Sequence, residues 1–172
     1  MEYVILVDRD DRPLGKMEKM EAHEKGLLHR AFSIFLFNKK AELMLQQRAY
    51  SKYHSGGLWT NTCCSHPRAD EELESATSRR LQEELGISAE VTKAFSFIYR
   101  AELDKKLIEH EFDHVFLGEF DGIPVLNKEE VADFRYISKK ELEEELAQNP
   151  DKFTEWFKIA LPEVISHWPD PS

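Results

Sequence analysis

Apolar side chains recur along the chain in two rhythms, one of strands and one of helices. Tyr3–Val7 is a β-rich run that stops at the turn-forming DRDDRPLG segment. Residues 31–37 (AFSIFLF) and 42–47 (ELMLQQ) flank NKKA, the pattern of a hairpin. After Gly56-Gly57 the stretch LWTNTCCSHP reads as irregular or extended. From 70 to 85 the period changes: Leu73, Ala76, Leu81 and Leu85 follow a 3.6-residue repeat, and Gly86 ends it. Residues 91–100 and 107–120 are again β-rich, separated by a polar turn at 104–106, and 134–137 is a short strand. Ser138 with Glu141 has the spacing of a capping box opening a helix. A last amphipathic segment carries Phe153, Trp156, Phe157 and Ala160, and Pro162 is expected to break it. Strands outnumber helices and hairpin-sized turns join them. The expected class is α+β, a mixed sheet sandwiched by helices, in one domain over residues 1–172.

Composition narrows the function classes. The 172 residues are 41% hydrophobic, with 11 Phe, enough for a core and unlike a disordered chain. A net charge of −10 opposes the phosphate attraction behind nucleic-acid binding, so no nucleic-acid partner is expected. A phosphate ligand would need a metal ion or a local cluster of Arg and Lys. No run reaches a membrane span, and MEYVILVDRD lacks the features of a signal peptide. The two cysteines, Cys63 and Cys64, are neighbours and cannot staple a loop, which points to a reduced, cytoplasmic setting.

Three groups of residues carry potential chemistry. Within 70–86, Glu71, Arg79, Leu81, Glu83, Glu84, Gly86 and Ile87 follow the Nudix spacing, with Ser65 at its first glycine and Arg80 where its middle Glu would stand. Carboxylates three and four apart share a helix face and can hold divalent ions, whereas an Arg fork grips phosphate oxygens. The same residues also fit surface ion pairs of about 0.3–0.5 kcal/mol each. Glu109 and Glu111, two apart on a strand, share a face with Asp113, while His110 and His114 point the other way. His23, His29 and His66 form the third group, and no spacing rule joins them to each other or to the carboxylates.

TNTCCSHP, the Glu-His-Glu triplet at 109–111, the altered Nudix helix and WFK near the end together resemble the type I isopentenyl-diphosphate isomerases, in order from about Lys19 to Trp156. One departure is His54-Ser55-Gly56-Gly57, where that family commonly has Pro-Gly before WTN. The resemblance implies a Nudix-like fold and interconversion of isopentenyl and dimethylallyl diphosphate, with a small allylic or homoallylic diphosphate as the partner. It implies a divalent ion (Mn²⁺, Mg²⁺ or Zn²⁺) on His23, His29, His66, Glu109 and Glu111, and a substrate-bridging Mg²⁺ helped by Glu84. Cys64 and Glu111 would be the acid/base groups. Lys19, Arg48, Lys52 and Arg80 would hold the diphosphate, and Tyr99 and Trp156 would form an aromatic wall. Cys64 is expected to lie near the ion without binding it, since a coordinating thiol loses its proton. Cys63 is expected to face away. Two other readings share these residues: a Nudix diphosphohydrolase and a non-catalytic binding module. The residues leave oligomeric state open.

Overall fold

A computed structural model describes residues 2–172, and among these are nine strands in one mixed sheet and four α-helices. The chain order is β1 (Tyr3–Val7), β2 (Pro13–Glu18), α1 (Lys19–Lys25), β3 (His29–Phe37), β4 (Leu43–Arg48), β5 (Trp59–Thr60), β6 (Cys63–Ser65), α2 (Leu73–Leu85), β7 (Val91–Glu102), β8 (Ile108–Glu119), β9 (Val131–Ile137), α3 (Lys139–Gln148) and α4 (Glu155–Ser166). The sheet is organised around β3. Along one edge it pairs in parallel with β8, from His29 beside Glu111 to Phe37 beside Glu119. It also pairs antiparallel with β1, β6 and β4 in turn.

Covered on both faces, β3 needs apolar residues on each, which is why it reads as a nearly continuous run instead of an alternating one. Phe35 and Phe37 pack with Val115, Leu142 of α3, and Phe157, Leu161 and Val164 of α4. Phe32, Ile34 and Leu36 pack on the opposite face with Phe116 and with Ala76, Leu81 and Leu85 of α2. The sheet is therefore sandwiched between helices, as the alternation of β-rich and helical segments predicts. At about 1.5–3 kcal/mol for each fully buried large apolar side chain, these two layers hold the molecule together.

Several local readings shift. The DRDDRPLG turn is shorter than expected, because the chain re-enters the sheet at Pro13 as β2, opposite β1. The short α1 is absent from the sequence reading; Glu18 caps it by accepting from the Glu21 N–H, and Gly26 ends it at φ 68°. The α2 helix starts at Leu73, three residues after the expected start, and ends on Gly86 at φ 61°. A Cβ at Gly86 would meet Val125 Cβ at 3.0 Å, so close packing as well as the left-handed turn demands glycine. Ser138 caps α3 by accepting from the Glu141 N–H at 3.2 Å, as the capping-box spacing predicts. Pro162 does not break the last helix, which runs through it to Ser166. Burial of Phe157, Ala160, Leu161 and Val164 outweighs the one backbone hydrogen bond the proline removes. No helix among the described residues is long and apolar enough to cross a membrane.

Candidate active site

The register of β3 against β8 builds the centre of the site. Because side chains alternate along a strand, Glu109, Glu111 and Asp113 of β8 rise on the same face as His29 and Ser33 of β3. The α1 helix brings His23 over this face, and the segment after β6 brings His66. Ligating atoms of His23, His29, His66, Glu109 and Glu111 lie within 4.8 Å of one another. Glu109 Oε2 is 3.0 Å from His23 Nε2. Glu111 Oε2 is 2.7 Å from His66 Nε2 and 3.2 Å from His29 Nε2. Two of the imidazoles have fixed tautomers, since His23 Nδ1 donates to the Lys19 carbonyl at 2.7 Å and His29 Nδ1 to the Leu27 carbonyl at 2.9 Å. In their neutral form, Nε2 then points a lone pair at carboxylate oxygen. Lone pair against lone pair is stable only with positive charge between them, either a proton on each ring or one shared cation. Imidazoles oriented by backbone carbonyls and converging with two carboxylates are the donor set of a divalent metal site.

The electrostatics of the protein groups agree with that fit. Burial pushes His29 down to about 4 and His66 well below its ordinary range, which keeps both neutral as ligands must be, whereas for His23 burial is outweighed by contact with Glu109 and the pKa rises. Burial opposes ionisation of Glu109, but its contacts with Glu111, His23 and His54 outweigh it and hold that carboxyl well below the usual range. Burial and the neighbouring Glu109 charge push Glu111 well above the usual carboxylate range. Two buried carboxylates this close do not both ionise unless a cation joins them.

The adjacent cysteines separate as strand geometry requires. Cys64 pairs with Ser33 in register and shares the face of the histidine–carboxylate cluster, whereas Cys63 sits in the opposite core layer. There the Cys63 thiol donates to Glu84 Oε1 at 3.3 Å. Both are free thiols, and burial raises Cys64 to about 12, which keeps it protonated. Cys64 and His66 line a cavity of about 390 Å³, which also exposes Lys19, Arg48, Lys52 and Arg80, the four expected anion-binding residues. Lys16, Arg68 and Arg79 add to its basic wall, so a locally cationic pocket is carved into a chain of net charge −10. Several of these cations are already paired: Lys19 with Glu2 at 2.6 Å, Lys52 with Glu130 at 2.5 Å, and Arg80 with Glu84 at 2.5 Å.

Tyr99, Trp156, Glu84 and Glu111 do not line this cavity. Tyr99 is buried and donates its hydroxyl to Glu111 Oε1 at 2.7 Å. Trp156 is buried beneath the Arg48 guanidinium, whose carbon lies 5.2 Å from the ring centre. Glu84 is outside the five-donor group; Arg80, Gln46 and Cys63 hold its oxygens. His110 and His114 leave the site, contacting the Gly26 carbonyl and Asp11. Two neighbours are missing from the sequence reading. Tyr53 lines the cavity under Lys19, and His54 reaches Glu109 from the 49–58 loop. No spacing pattern marks either one.

Comparison with known proteins places this geometry in context. A NUDIX domain model matches residues 27–157. Isopentenyl-diphosphate Delta-isomerase of Burkholderia multivorans is 54% identical over 97% of both chains. Isopentenyl-diphosphate Delta-isomerase 2 of Aromatoleum aromaticum is 53% identical over 95% of this chain and 86% of its own. Among solved structures, a Deinococcus radiodurans protein superposes with TM-score 0.77 at 18% identity, covering 97% of this chain and 99% of its own. The MutT protein of Methanosarcina mazei Go1 gives 0.64 at 20% identity over 81% and 94% of the two chains. At those identities the structures speak for the fold alone.

Proposed function

The chain belongs to the Nudix-domain family of isopentenyl-diphosphate Delta-isomerases, and we propose that it moves the double bond of isopentenyl diphosphate to give dimethylallyl diphosphate. The observation that carries the reading is the position of Cys64: a protonated thiol in a basic cavity, on the same sheet face as Glu111. Double-bond migration adds a proton to one carbon of an unactivated alkene and takes one from another, so two acid/base groups must attend a substrate held still. Cys64 and Glu111 fill those roles, with Tyr99 orienting Glu111 through its hydroxyl. Positioned acid–base groups contribute about 10²–10⁴-fold. The rest of the barrier falls through exclusion of water and a preorganised field around a carbocation-like intermediate, with Trp156 as the aromatic wall.

Lys19, Arg48, Lys52 and Arg80 grip the diphosphate, at about 4 kcal/mol for a charge pair 4 Å apart at an effective dielectric of about 20. His23, His29, His66, Glu109 and Glu111 would hold a divalent ion, Mn²⁺, Mg²⁺ or Zn²⁺. Bound there, it supplies the positive charge that lets both carboxylates stay ionised, Glu111 among them. Glu84, paired here with Arg80, would help hold a second divalent ion, Mg²⁺, which would supply positive charge for the diphosphate. The reading includes one catalytic domain over residues 1–172, a cytoplasmic setting supported by the unpaired cysteines, and no nucleic-acid or membrane partner.

The test is incubation of isopentenyl diphosphate with the protein and Mg²⁺ or Mn²⁺ in D₂O. Deuterated dimethylallyl diphosphate without phosphate release is the expected result. Release of phosphate, or neither product nor deuterium exchange, overturns the proposal.

A further inference from the structure

His54 lies outside the five-donor group, yet its Nε2 is 3.1 Å from Glu109 Oε2, the oxygen that also faces His23. The two histidines approach that oxygen with opposite chemistry. His23 Nδ1 donates to a backbone carbonyl, which leaves Nε2 its lone pair. His54 Nδ1 instead meets the Ser55 hydroxyl at 3.1 Å, a partner that can donate. A carboxylate can only accept, so one tautomer suits both contacts of a neutral His54: Ser55 Oγ–H donating to Nδ1, and the proton on Nε2, which approaches Glu109 Oε2 off-axis. His54 Nε2 is buried and lacks an aligned hydrogen-bond partner, so that N–H has no other outlet.

The surroundings hold the ring in place. The backbone N–H of Ser55 donates to Asp104 Oδ1 at 2.9 Å, with Ser55 in the left-handed region at φ 53°. Arg48 Nη2 donates to the His54 carbonyl at 3.0 Å, and Trp156 stands edge-on to the imidazole with ring centres 5.7 Å apart. These contacts hold the His54 backbone and ring fixed relative to Glu109, as an orienting donor requires.

We infer that His54 is a positioning residue for the metal centre: its Nε2–H holds Glu109 Oε2 in the orientation that His23, His29, His66 and Glu111 share around a divalent ion. The inference rests on the proposed metal site, and its test separates the two. Purified protein and its variants are compared by calorimetric titration with Mn²⁺ and by the rate of Mn²⁺ loss to a chelator. Loss of an orienting partner of this kind weakens metal affinity 10–100-fold. His54→Phe and His54→Asn are expected to show that loss. His54→Gln, whose amide N–H falls near the imidazole Nε2, retains affinity within a few-fold, and KM for the diphosphate at saturating metal stays unchanged throughout. Equal affinity in all three variants and the parent overturns the role of His54 while leaving the metal site standing. Equal loss in all three, Gln included, reduces His54 to a packing residue and also overturns it. A parent protein that binds no Mn²⁺ removes the site itself.

Discussion

The two ends of the β3–β8 pair have opposite characters on one sheet face. At the end where His29 meets Glu111, the face buries imidazoles, carboxylates and the Ser33 hydroxyl, which donates to Asp113 at 2.8 Å. At the other end, Phe35, Phe37 and Val115 close against α4 with no polar group among them. The β3 and β8 residues named at both ends are buried. One consists of groups whose burial is unfavourable unless each finds a partner; the other of groups whose burial drives folding. The apolar end and the layer under α2 supply the stability that lets the polar end stay preorganised, and the polar end concentrates the chemistry.

The sharpest way to break the comparison is at the cysteines, which sit one residue apart on opposite faces. Cys64→Ala is expected to lower kcat by about 10²–10⁴-fold, the scale of a lost acid/base group. Cys63→Ala leaves kcat within a few-fold. Steady-state turnover of isopentenyl diphosphate reads both, and equal losses would make the effect one of folding. Next in size is truncation at the apolar end. Phe157→Ala is expected to cost about 3–5 kcal/mol by denaturant unfolding, with the activity of the folded fraction retained.

Stripping metal from the polar end removes ligand-linked stability of about 2.7 kcal/mol for an ion present at 100 times its dissociation constant. The unfolding midpoint then falls by roughly 5–10 °C on chelation. Re-adding Mn²⁺ or Mg²⁺ restores it if the five-donor group is the site.

Smaller effects sharpen the picture further. With its folded pKa raised to about 12 from 9.0, Cys64 contributes stability that is intact below pH 9 and lost as pH rises through 12. The same shift makes alkylation of the native Cys64 by iodoacetamide slow at pH 9, where unfolded protein reacts freely; mass spectrometry of the two samples distinguishes them. Smallest is Glu130→Gln, which frees Lys52 and weakens the hold on Arg80, whose Nη2 lies 3.5 Å from Glu130 Oε1. KM for the diphosphate is expected to fall a few-fold, and a rise would mean that Glu130 aids substrate binding.

Much of the molecule is determined by local pattern. The continuous apolar run of β3, the 3.6-residue repeat of α2 and the Ser138 cap each arise from residues adjacent in sequence, so these elements are legible without coordinates, whereas β2 and the short α1 are not. So is the opposition of Cys63 and Cys64, because neighbours on a strand must face opposite ways. Tertiary structure decided what depends on long-range pairing. Parallel register sets His29 beside Glu111 across 82 residues of chain, and only then do His23 and His66 share a centre with them. Pro162 is tolerated for the same reason: packing on the sheet outweighs a local helix-breaking signal. His54 reaches Glu109 through a loop whose geometry comes from Ser55, Asp104 and Arg48 together. Short-range pattern sets which way a side chain points, and only the closed sheet fixes what it meets there.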